Sequence, residues 1–195
     1  HLEDAGLTRL ASTADSGAGP REVAVILRSL AHHGVTVPVA ETDMLAGWLA
    51  ATAGVDVPEN GPLTVALGDA VVAADRVSAT IPAVPFSAEA AAVVLALRDG
   101  DSLLVAACEP AQLSIAKGRN AGGEPRDTVT VDLPRETFTA LGGEAEAELI
   151  RRGAWARCVQ IIGALDASVE FSVAAAREHE QVGRSLSAFQ PAHPT

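Results

Sequence analysis

The five histidines and two cysteines of this sequence show no spacing that is typical of a catalytic or metal-binding site. His32 and His33 are adjacent, so they leave a helix in different directions, and no carboxylate or cysteine stands at ligand spacing. A metal or acid–base site is one interpretation, but a cap on the end of a helix is favoured. Cys108 and Cys158 are far apart, so both are predicted to be reduced, buried thiols, and no metal site is predicted.

Carboxylates cluster at one place, where Glu144, Glu146 and Glu148 precede a long apolar pattern. The positive end of a helix dipole favours acidic residues in the first turn, which explains these three better than catalysis does. The glycine-rich stretch 16–20 lacks the Lys and Ser/Thr of a phosphate loop and has no strand before it. We interpret this stretch as a turn.

Composition limits the possible partners. A net charge of -11 without any run of Lys or Arg argues against nucleic acid and against an anionic membrane surface. With 48% hydrophobic residues the chain can bury a core. Its longest apolar runs, such as residues 90–97, fall short of the roughly 20 residues that span a bilayer. The expected location is the cytoplasm.

The periodicity of apolar residues predicts three segments. Residues 2–54 repeat at helical spacing, and the Pro/Gly/Asn-rich stretch 58–62 marks a boundary. Short β-type runs then follow, each bounded by Gly, Pro or Asp, and they predict a small antiparallel sheet or barrel. These runs are residues 63–67, 71–77, 93–97, 103–107 and 128–132.

A long helix is predicted after Gly142 and Gly143, with Gly183 interrupting it and a second helix starting near Ser185. One apolar face runs along it, which we name the open face: Ile150, Ala154, Cys158, Ile161, Ile162, Leu165, Val169 and Val173. The remaining chain is too short to cover this face, so an obligate oligomer is expected. The fold class is α+β, with a helical domain over 1–61, a β domain over 62–141 and the start of a helical domain over 142–195.

This order, together with several stretches, resembles the acyl-CoA dehydrogenases over nearly the whole chain, particularly short actinobacterial members. Residues 2–7, 16–19 and 37–42 resemble the N-terminal helical domain of that family. The stretches 84–97 and 123–127 resemble its middle β domain. The resemblance implies an acyl-CoA dehydrogenase-like fold, and it makes Arg126 in the charged turn 123–127 a weak candidate for binding the acyl-CoA substrate or a partner, beside a purely structural turn.

The stretch 163–190 resembles the family segment that reaches across a subunit interface to the FAD of a neighbouring chain. The resemblance implies cofactor contacts from His179, Gln181, Gly183, Phe189 and Gln190. Here His179 stands in place of an arginine and Val182 in place of a phenylalanine, as the printed sequence shows. A neutral imidazole offers one donor where a guanidinium forks onto two phosphate oxygens, so flavin contact is expected to be weakened.

Two parts of the family's active site are missing from the sequence. One position of the family's catalytic glutamate aligns with Gly153, and the other falls beyond Thr195. The two segments that cradle the isoalloxazine ring in the family are replaced by residues 63–68 and 78–82, and the chain contains no Tyr. Trp48 and Trp155 are expected to be packing residues. No catalytic residue is therefore assigned to this chain.

The resemblance implies a subunit of a heteromeric FAD-dependent acyl-CoA dehydrogenase, with an α2β2 assembly, a homologous partner and a shared flavin. Its implied substrate is a bulky CoA thioester, such as one derived from a steroid, and the implied electron acceptor is an electron-transfer flavoprotein. Two alternatives stay open. One is a homomeric dehydrogenase whose C-terminal region is missing here, and the other is a non-enzymatic scaffold of the same fold.

Overall fold

A computed structural model of the chain describes residue 3 and residues 5–12, 18–181 and 184–185. Helices come first, strands follow, and one long helix comes last. The helices are α1 (Pro20–His32), a π-helix (Ala40–Gly47), α2 (Trp48–Ala53) and α3 (Gly143–Glu178). The change from helix to strand and back again falls at the two Gly/Pro-rich breaks, while the division into three domains stays a prediction.

The strands form two four-stranded sheets and a short C-terminal hairpin. The strands are β1 (Leu63–Asp69), β2 (Val71–Ala73), β3 (Arg76–Pro85), β4 (Ala92–Asp99), β5 (Ser102–Cys108), β6 (Ser114–Ala116), β7 (Arg126–Pro134), β8 (Thr139–Gly142), β9 (Glu180–Gln181) and β10 (Arg184–Ser185). The first sheet has the order β1-β4-β5-β8 and the second the order β2-β3-β7-β6.

Four details differ from the sequence prediction. β1 pairs with β4 in parallel, so the first sheet is mixed and not antiparallel. The run 71–77 is two strands, because a turn with Ala74 at φ 54° separates β2 from β3. Residues 5–12 form turns and bends and not a helix. Ser185 pairs with Glu180 in a hairpin, where the sequence predicted the start of a second helix.

Three clusters of buried apolar side chains hold the fold together. One lies between the two sheets and includes Leu95, Leu97 and Val129. The second lies between the first sheet and the helices and includes Leu49, Leu63, Leu103 and Leu149. The third joins α1, the π-helix and α3 through Val23, Leu27, Met44 and Ala156. The first sheet is thus covered on both faces, as a mixed sheet with a parallel pair requires.

Helix α3 buries one side and exposes the other. Its buried residues are small where it crosses α1: a side chain at Gly163 would place its Cβ 2.2 Å from the Arg28 carbonyl oxygen. Arg28 also bonds to Asp166 at 2.7 Å across the same crossing. The open face stays exposed along its whole length, with Leu165 59% and Val169 62% accessible.

By length and composition alone α3 is long and apolar enough to cross a membrane. The sequence expectation considered uninterrupted apolar runs, whereas α3 reaches this length as a helix whose apolar residues are interrupted by only a few charged ones. α3 is nonetheless packed along one side against α1 and the π-helix. One such helix is weak evidence for a membrane protein.

Candidate functional site

The π-helix carries three consecutive polar residues that are almost completely buried: Glu41, Thr42 and Asp43. π-helical turns are rare and occur often at functional sites. Buried polar groups are costly unless each one finds a hydrogen-bond partner. Each of these three side chains finds its partner in a different part of the chain, so the π-helix is where those parts meet.

Thr42 and Asp43 make the contacts to the β region and to the N-terminal segment. The Thr42 hydroxyl accepts from the Leu63 N–H at 2.9 Å and donates to the Leu63 carbonyl at 3.1 Å, which fixes the start of β1. The Asp43 carboxylate accepts from the N–H groups of Ala11 and Ser12 at 2.9 and 2.7 Å. Both side chains therefore make contacts that join the π-helix to the rest of the fold.

Glu41 faces α3, where its carboxylate accepts from the Arg157 guanidinium. The Glu41 side chain is only 3% exposed, whereas Arg157 is 45% exposed at the edge of α3. Arg157 lies one helical turn after Gly153, on the same side of α3. An ion pair therefore stands beside the position where the family resemblance places a catalytic glutamate.

Gly153 itself is partly buried and points toward the π-helix. A Cβ built there would lie 3.8 Å from Leu45 Cδ2, an ordinary contact. Arg152, next in the chain, stacks over the Trp48 ring at 4.5 Å and donates to Glu148 at 2.8 Å. Burial lowers the pKa of Arg152, and the charge of Asp43 opposes this effect. Trp48 is thus a packing residue with a cationic neighbour, as the sequence suggested.

Two of the three glutamates at the start of α3 form ion pairs with arginines. The Arg98 Nε donates to Glu146 at 2.5 Å, and Glu148 accepts from both Arg151 and Arg152. Glu144 is exposed on the first turn. Ion-paired carboxylates are poor general bases, because the neighbouring positive charge stabilises the ionised form. These contacts agree with the structural interpretation of the acidic helix start.

The segments that correspond to the family's flavin cradle lie on β1 and β3. The inward faces of these strands pack so tightly that a Cβ at Gly68 would be 2.7 Å from Ile81 Cγ1. Ala66 and Ile81 are buried in the core between the sheets. The outward residues Ser78 and Thr80 of β3 are half-exposed and exposed. The close packing therefore concerns the core and leaves the outer face of β3 accessible.

The predicted interface contacts to FAD lie at the end of α3. His179 is exposed and ends the helix, with its N–H donating to the Ala175 carbonyl at 2.9 Å. Gln181 is paired with Arg184 in the hairpin. Gly183, Phe189 and Gln190 lie outside the residues that the structure describes. His179 and Gln181 are therefore near each other in the chain, and their role toward a flavin stays a prediction.

Arg126, the weak substrate candidate, is engaged within its own turn. Its guanidinium donates to Glu124 at 2.9 Å and to the Pro125 carbonyl at 2.9 Å. The side chain next to it, Asp127, is buried and is bonded to Ser87 and to two backbone N–H groups. A ligand that binds Arg126 would share the guanidinium with Glu124.

The remaining candidates take structural positions. His33 ends α1 and its Nδ1 lies 2.8 Å from the Ser29 carbonyl oxygen, in agreement with a helix cap. Cys108 is buried, which raises the pKa of its thiol, but Cys158 is exposed on the open face, so the prediction of two buried thiols was wrong for Cys158. Within the described part of the chain, no group of three or more His, Cys, Asp or Glu side chains could hold a metal ion.

Glu41 and Asp43 were not predicted from the sequence as residues that organise the fold. Their signal was available: three polar residues in a row interrupt an otherwise apolar helical pattern at residues 41–43. Such a run cannot sit on one exposed face of an α-helix, because consecutive residues point 100° apart. Arg157 gave no comparable signal, since a single arginine on a long helix is usually solvated.

Comparison with known proteins gives matches at the level of structure. No protein-family model matches the chain, and no curated protein matches it. The ChsE4–ChsE5 complex from Mycobacterium tuberculosis contains a chain that is similar with a TM-score of 0.80 and 20% identity, over 97% of this chain and 59% of that one. The steroid ACAD Tcur3481–Tcur3483 is similar with a TM-score of 0.75 and 22% identity, over the same shares.

A glutaryl-CoA dehydrogenase from Mycobacterium smegmatis, in complex with FADH2, is also similar. Its TM-score is 0.77 at 12% identity, and the match covers 95% of this chain and 59% of that one. The chain thus spans about 59% of the length of each of these three structures. At these identities the likeness establishes a shared fold.

Proposed function

We propose that this chain, which has the acyl-CoA dehydrogenase fold, is the non-catalytic subunit of a heteromeric FAD-dependent acyl-CoA dehydrogenase. In such an enzyme a carboxylate removes the α-proton of a CoA thioester while the β-hydride passes to the flavin. The proposal rests on the contact between the π-helix and α3, which we name the α3 seam. Gly153 offers no carboxylate there, and Glu41 and Glu148 are both held by arginines.

The partner in this proposal is a homologous subunit that supplies the base and holds most of the flavin. The replacement of the family's two flavin-cradling segments by residues 63–68 and 78–82 supports this. The similar ChsE4–ChsE5 structure is named as a complex of two different chains. The proposed arrangement is α2β2, with two copies of each chain related by a twofold axis.

The open face of α3 is the proposed contact surface for that partner. Its eight residues are exposed, and from Ala154 to Val173 the face carries no charged side chain. Monomeric proteins rarely leave an apolar surface of this length open to water. We expect no stable monomer at micromolar concentration by light scattering once the partner is absent; self-association or precipitation is the expected result.

The flavin would be approached from the end of α3. In the proposal His179, Gln181, Gly183, Phe189 and Gln190 touch a flavin that the partner binds. Because His179 stands in place of the family's arginine, this segment lacks a fixed positive charge. That fits a chain that contributes contacts to the cofactor without holding it alone. If the missing positive charge at His179 weakens the flavin contact, His179→Arg is expected to tighten flavin retention in the assembled complex.

The proposed substrate is a bulky CoA thioester, with a steroid-derived acyl group as the leading candidate. The support is the similarity to a structure named as a steroid ACAD. Arg126 is the weak candidate for a substrate contact, with its guanidinium shared with Glu124. An electron-transfer flavoprotein is the proposed acceptor of the electrons.

The test is co-expression with adjacent acyl-CoA dehydrogenase genes, followed by purification through a tag on this chain. A yellow complex that oxidises CoA thioesters, beside a colourless product from this chain alone, supports the proposal. Flavin bound to this chain alone would favour the homomeric alternative. A colourless, inactive complex would favour the scaffold alternative. Substitution of the partner's base should abolish turnover, whereas Glu41→Gln in this chain should not.

A further inference from the structure

A second site lies away from the α3 seam, at one end of the second sheet. β3 and β6 end there and β7 begins, and their ends surround a cavity of about 360 Å³. Its wall includes Ala88, Glu89, Lys117, Gly118, Arg119 and Asp127. The volume lies at the lower end of the range for small-molecule sites in proteins.

One buried carboxylate accepts hydrogen bonds from three groups around this cavity. Asp127 is 2% exposed. It accepts from the Ser87 hydroxyl at 2.9 Å, from the Ala88 N–H at 3.1 Å and from the Gly118 N–H at 3.1 Å. Burial alone would raise the pKa of Asp127, but these three hydrogen bonds, helped by the charge of Lys117, hold it below its ordinary value. The carboxylate is therefore ionised, and its acceptor sites are already engaged by the protein.

The backbone around the cavity is bent into unusual conformations. Ala83 and Phe86 have φ angles of 58° and 53°, in the left-handed region that non-glycine residues rarely adopt. This bend brings Ser87 and Ala88 onto Asp127. On the other side, Gly118 passes so close to β7 that a Cβ would lie 2.3 Å from the Arg126 carbonyl oxygen. Such conformations persist only where the surrounding contacts over-determine them.

The mouth of the cavity carries two exposed cations. Lys117 is the chain's single lysine, and it forms no ion pair with any residue that the structure describes. Arg119 donates one N–H to the Gly123 carbonyl at 2.5 Å, which leaves its other donors available. Glu89 is the single exposed carboxylate in the wall. The ionised Asp127 lies buried below them, so the charges of the whole lining balance on a chain of net charge -11.

We propose that this cavity binds the phosphate group of a phosphate ester, with Lys117 and Arg119 on its oxygens and Glu89 accepting from a ligand hydroxyl. Ammonium and guanidinium groups on either side of a glycine backbone suit a tetrahedral anion. The inference does not depend on the proposed function. If that function holds, FAD and CoA are two sources of the same chemistry, since both carry adenosine phosphates.

The test uses ADP as the probe, titrated into the full chain, alone or in its complex, while the amide resonances of Gly118 and Ala88 are followed. Saturable shifts at these two amides are expected. The double substitution Lys117→Gln with Arg119→Gln should weaken ADP binding at least tenfold. Arg21→Gln, which removes an exposed charge on α1, is the matched control and should leave binding unchanged. Glu89→Gln should tighten the binding of inorganic phosphate, because it removes a like charge from the mouth.

Three outcomes overturn the proposal: no shift at Gly118, equal ADP affinity in the double variant, or adenosine binding as tightly as ADP. CoA and FAD are compared with ADP to identify the source, since only the one whose other groups also fit should bind more tightly. The readout needs neither flavin nor turnover. Failure here is thus distinguishable from failure of the dehydrogenase proposal.

Discussion

The two sides of α3 differ in the size of their side chains and in what they pack against. Apart from Leu149, the buried side, which we name the close side, uses the small residues Ala145, Ala156, Gly163 and Ala167, and it meets α1 closely enough to exclude a side chain at Gly163. The open face consists mostly of large aliphatic residues and is left uncovered by the residues that the structure describes. The close side finds its packing partners within the same chain, and the ion pair between Arg28 and Asp166 lies across the same helix crossing. We expect the open face to be buried by the surface of a second chain.

This difference separates residues that make the fold from residues that make the assembly. A substitution on the close side should lower the stability of the chain itself. A substitution on the open face should leave the chain folded and remove the partner. The predictions below use that separation, beginning with the largest expected effect.

The open face is tested with Leu165→Glu combined with Ile161→Glu, which buries two carboxylates if the partner docks. Association with the partner should weaken at least a hundredfold, about 3 kcal/mol, because an unpaired buried charge is strongly disfavoured. The free energy of unfolding of the chain should change by less than about 0.5 kcal/mol, since both positions are exposed in it. Co-purification and thermal denaturation measure the two effects.

The matched control is Phe171→Glu, because Phe171 is 74% exposed on α3 but lies off the open face. It should leave assembly intact. If Phe171→Glu disrupts the complex as strongly as the double variant does, the open face is not the contact surface. Sedimentation of the chain with lipid vesicles, lost in the double variant, would instead assign the face to a membrane.

The close side is tested with Gly163→Val. Its Cβ would overlap the Arg28 carbonyl, so α1 and α3 must separate, and overpacking of this kind costs about 3 kcal/mol. Ala164→Val is the control: the same side chain one residue further on is exposed and should cost only the helix propensity, about 0.6 kcal/mol. Chemical denaturation measures both. Equal losses would mean that the crossing at Gly163 is not tight in solution.

The ion pair at the edge between the two sides is tested with Arg157→Ala. Glu41 would stay buried without its partner, which should cost about 2 kcal/mol, less than for a fully buried pair because Arg157 is half exposed. Adding Glu41→Gln should recover part of this loss. In the assembled enzyme Glu41→Gln alone should keep turnover within tenfold, about 1.4 kcal/mol, since loss of a general base costs at least a hundredfold.

Turnover that falls a hundredfold in Glu41→Gln, with the complex assembled and flavin-loaded, would make Glu41 a catalytic group. The non-catalytic interpretation of this chain would then be wrong. A loss confined to stability, by contrast, would place Glu41 with Thr42 and Asp43 as a residue that joins the π-helix to its neighbours.

How far the sequence predicted this molecule depends on the range of the interactions involved. The open face was predictable because helical periodicity is local: every residue of the face follows from spacing along one segment. The α+β fold class and the strands 93–97 and 103–107 followed from patterns of the same kind. The parallel pairing of β1 with β4 was not predictable, since it depends on a connection through β2 and β3 that no local pattern encodes.

The candidate site shows the same limit. The missing carboxylate at Gly153 could be seen in the sequence, because it needed only an alignment of one helix with a family. The pairing of Glu41 with Arg157 joins residues 116 positions apart, and the tight contact of β1 with β3 depends on how two sheets pack. Those contacts are set by tertiary packing, so the sequence offered at most the run of polar residues at 41–43 as a hint.

The smallest predicted effect, at Gly153, is also the most informative about function. Gly153→Ala should stabilise the chain by about 0.8 kcal/mol, because alanine is the better helix former and its Cβ finds ordinary contact with Leu45 at 3.8 Å. Turnover of the assembled enzyme should not change. A methyl group that slowed turnover more than tenfold, in a complex that still holds its flavin, would mean that substrate or cofactor approaches this chain at Gly153. The active site would then include the seam of this subunit, and the glycine would be there to make room for the ligand.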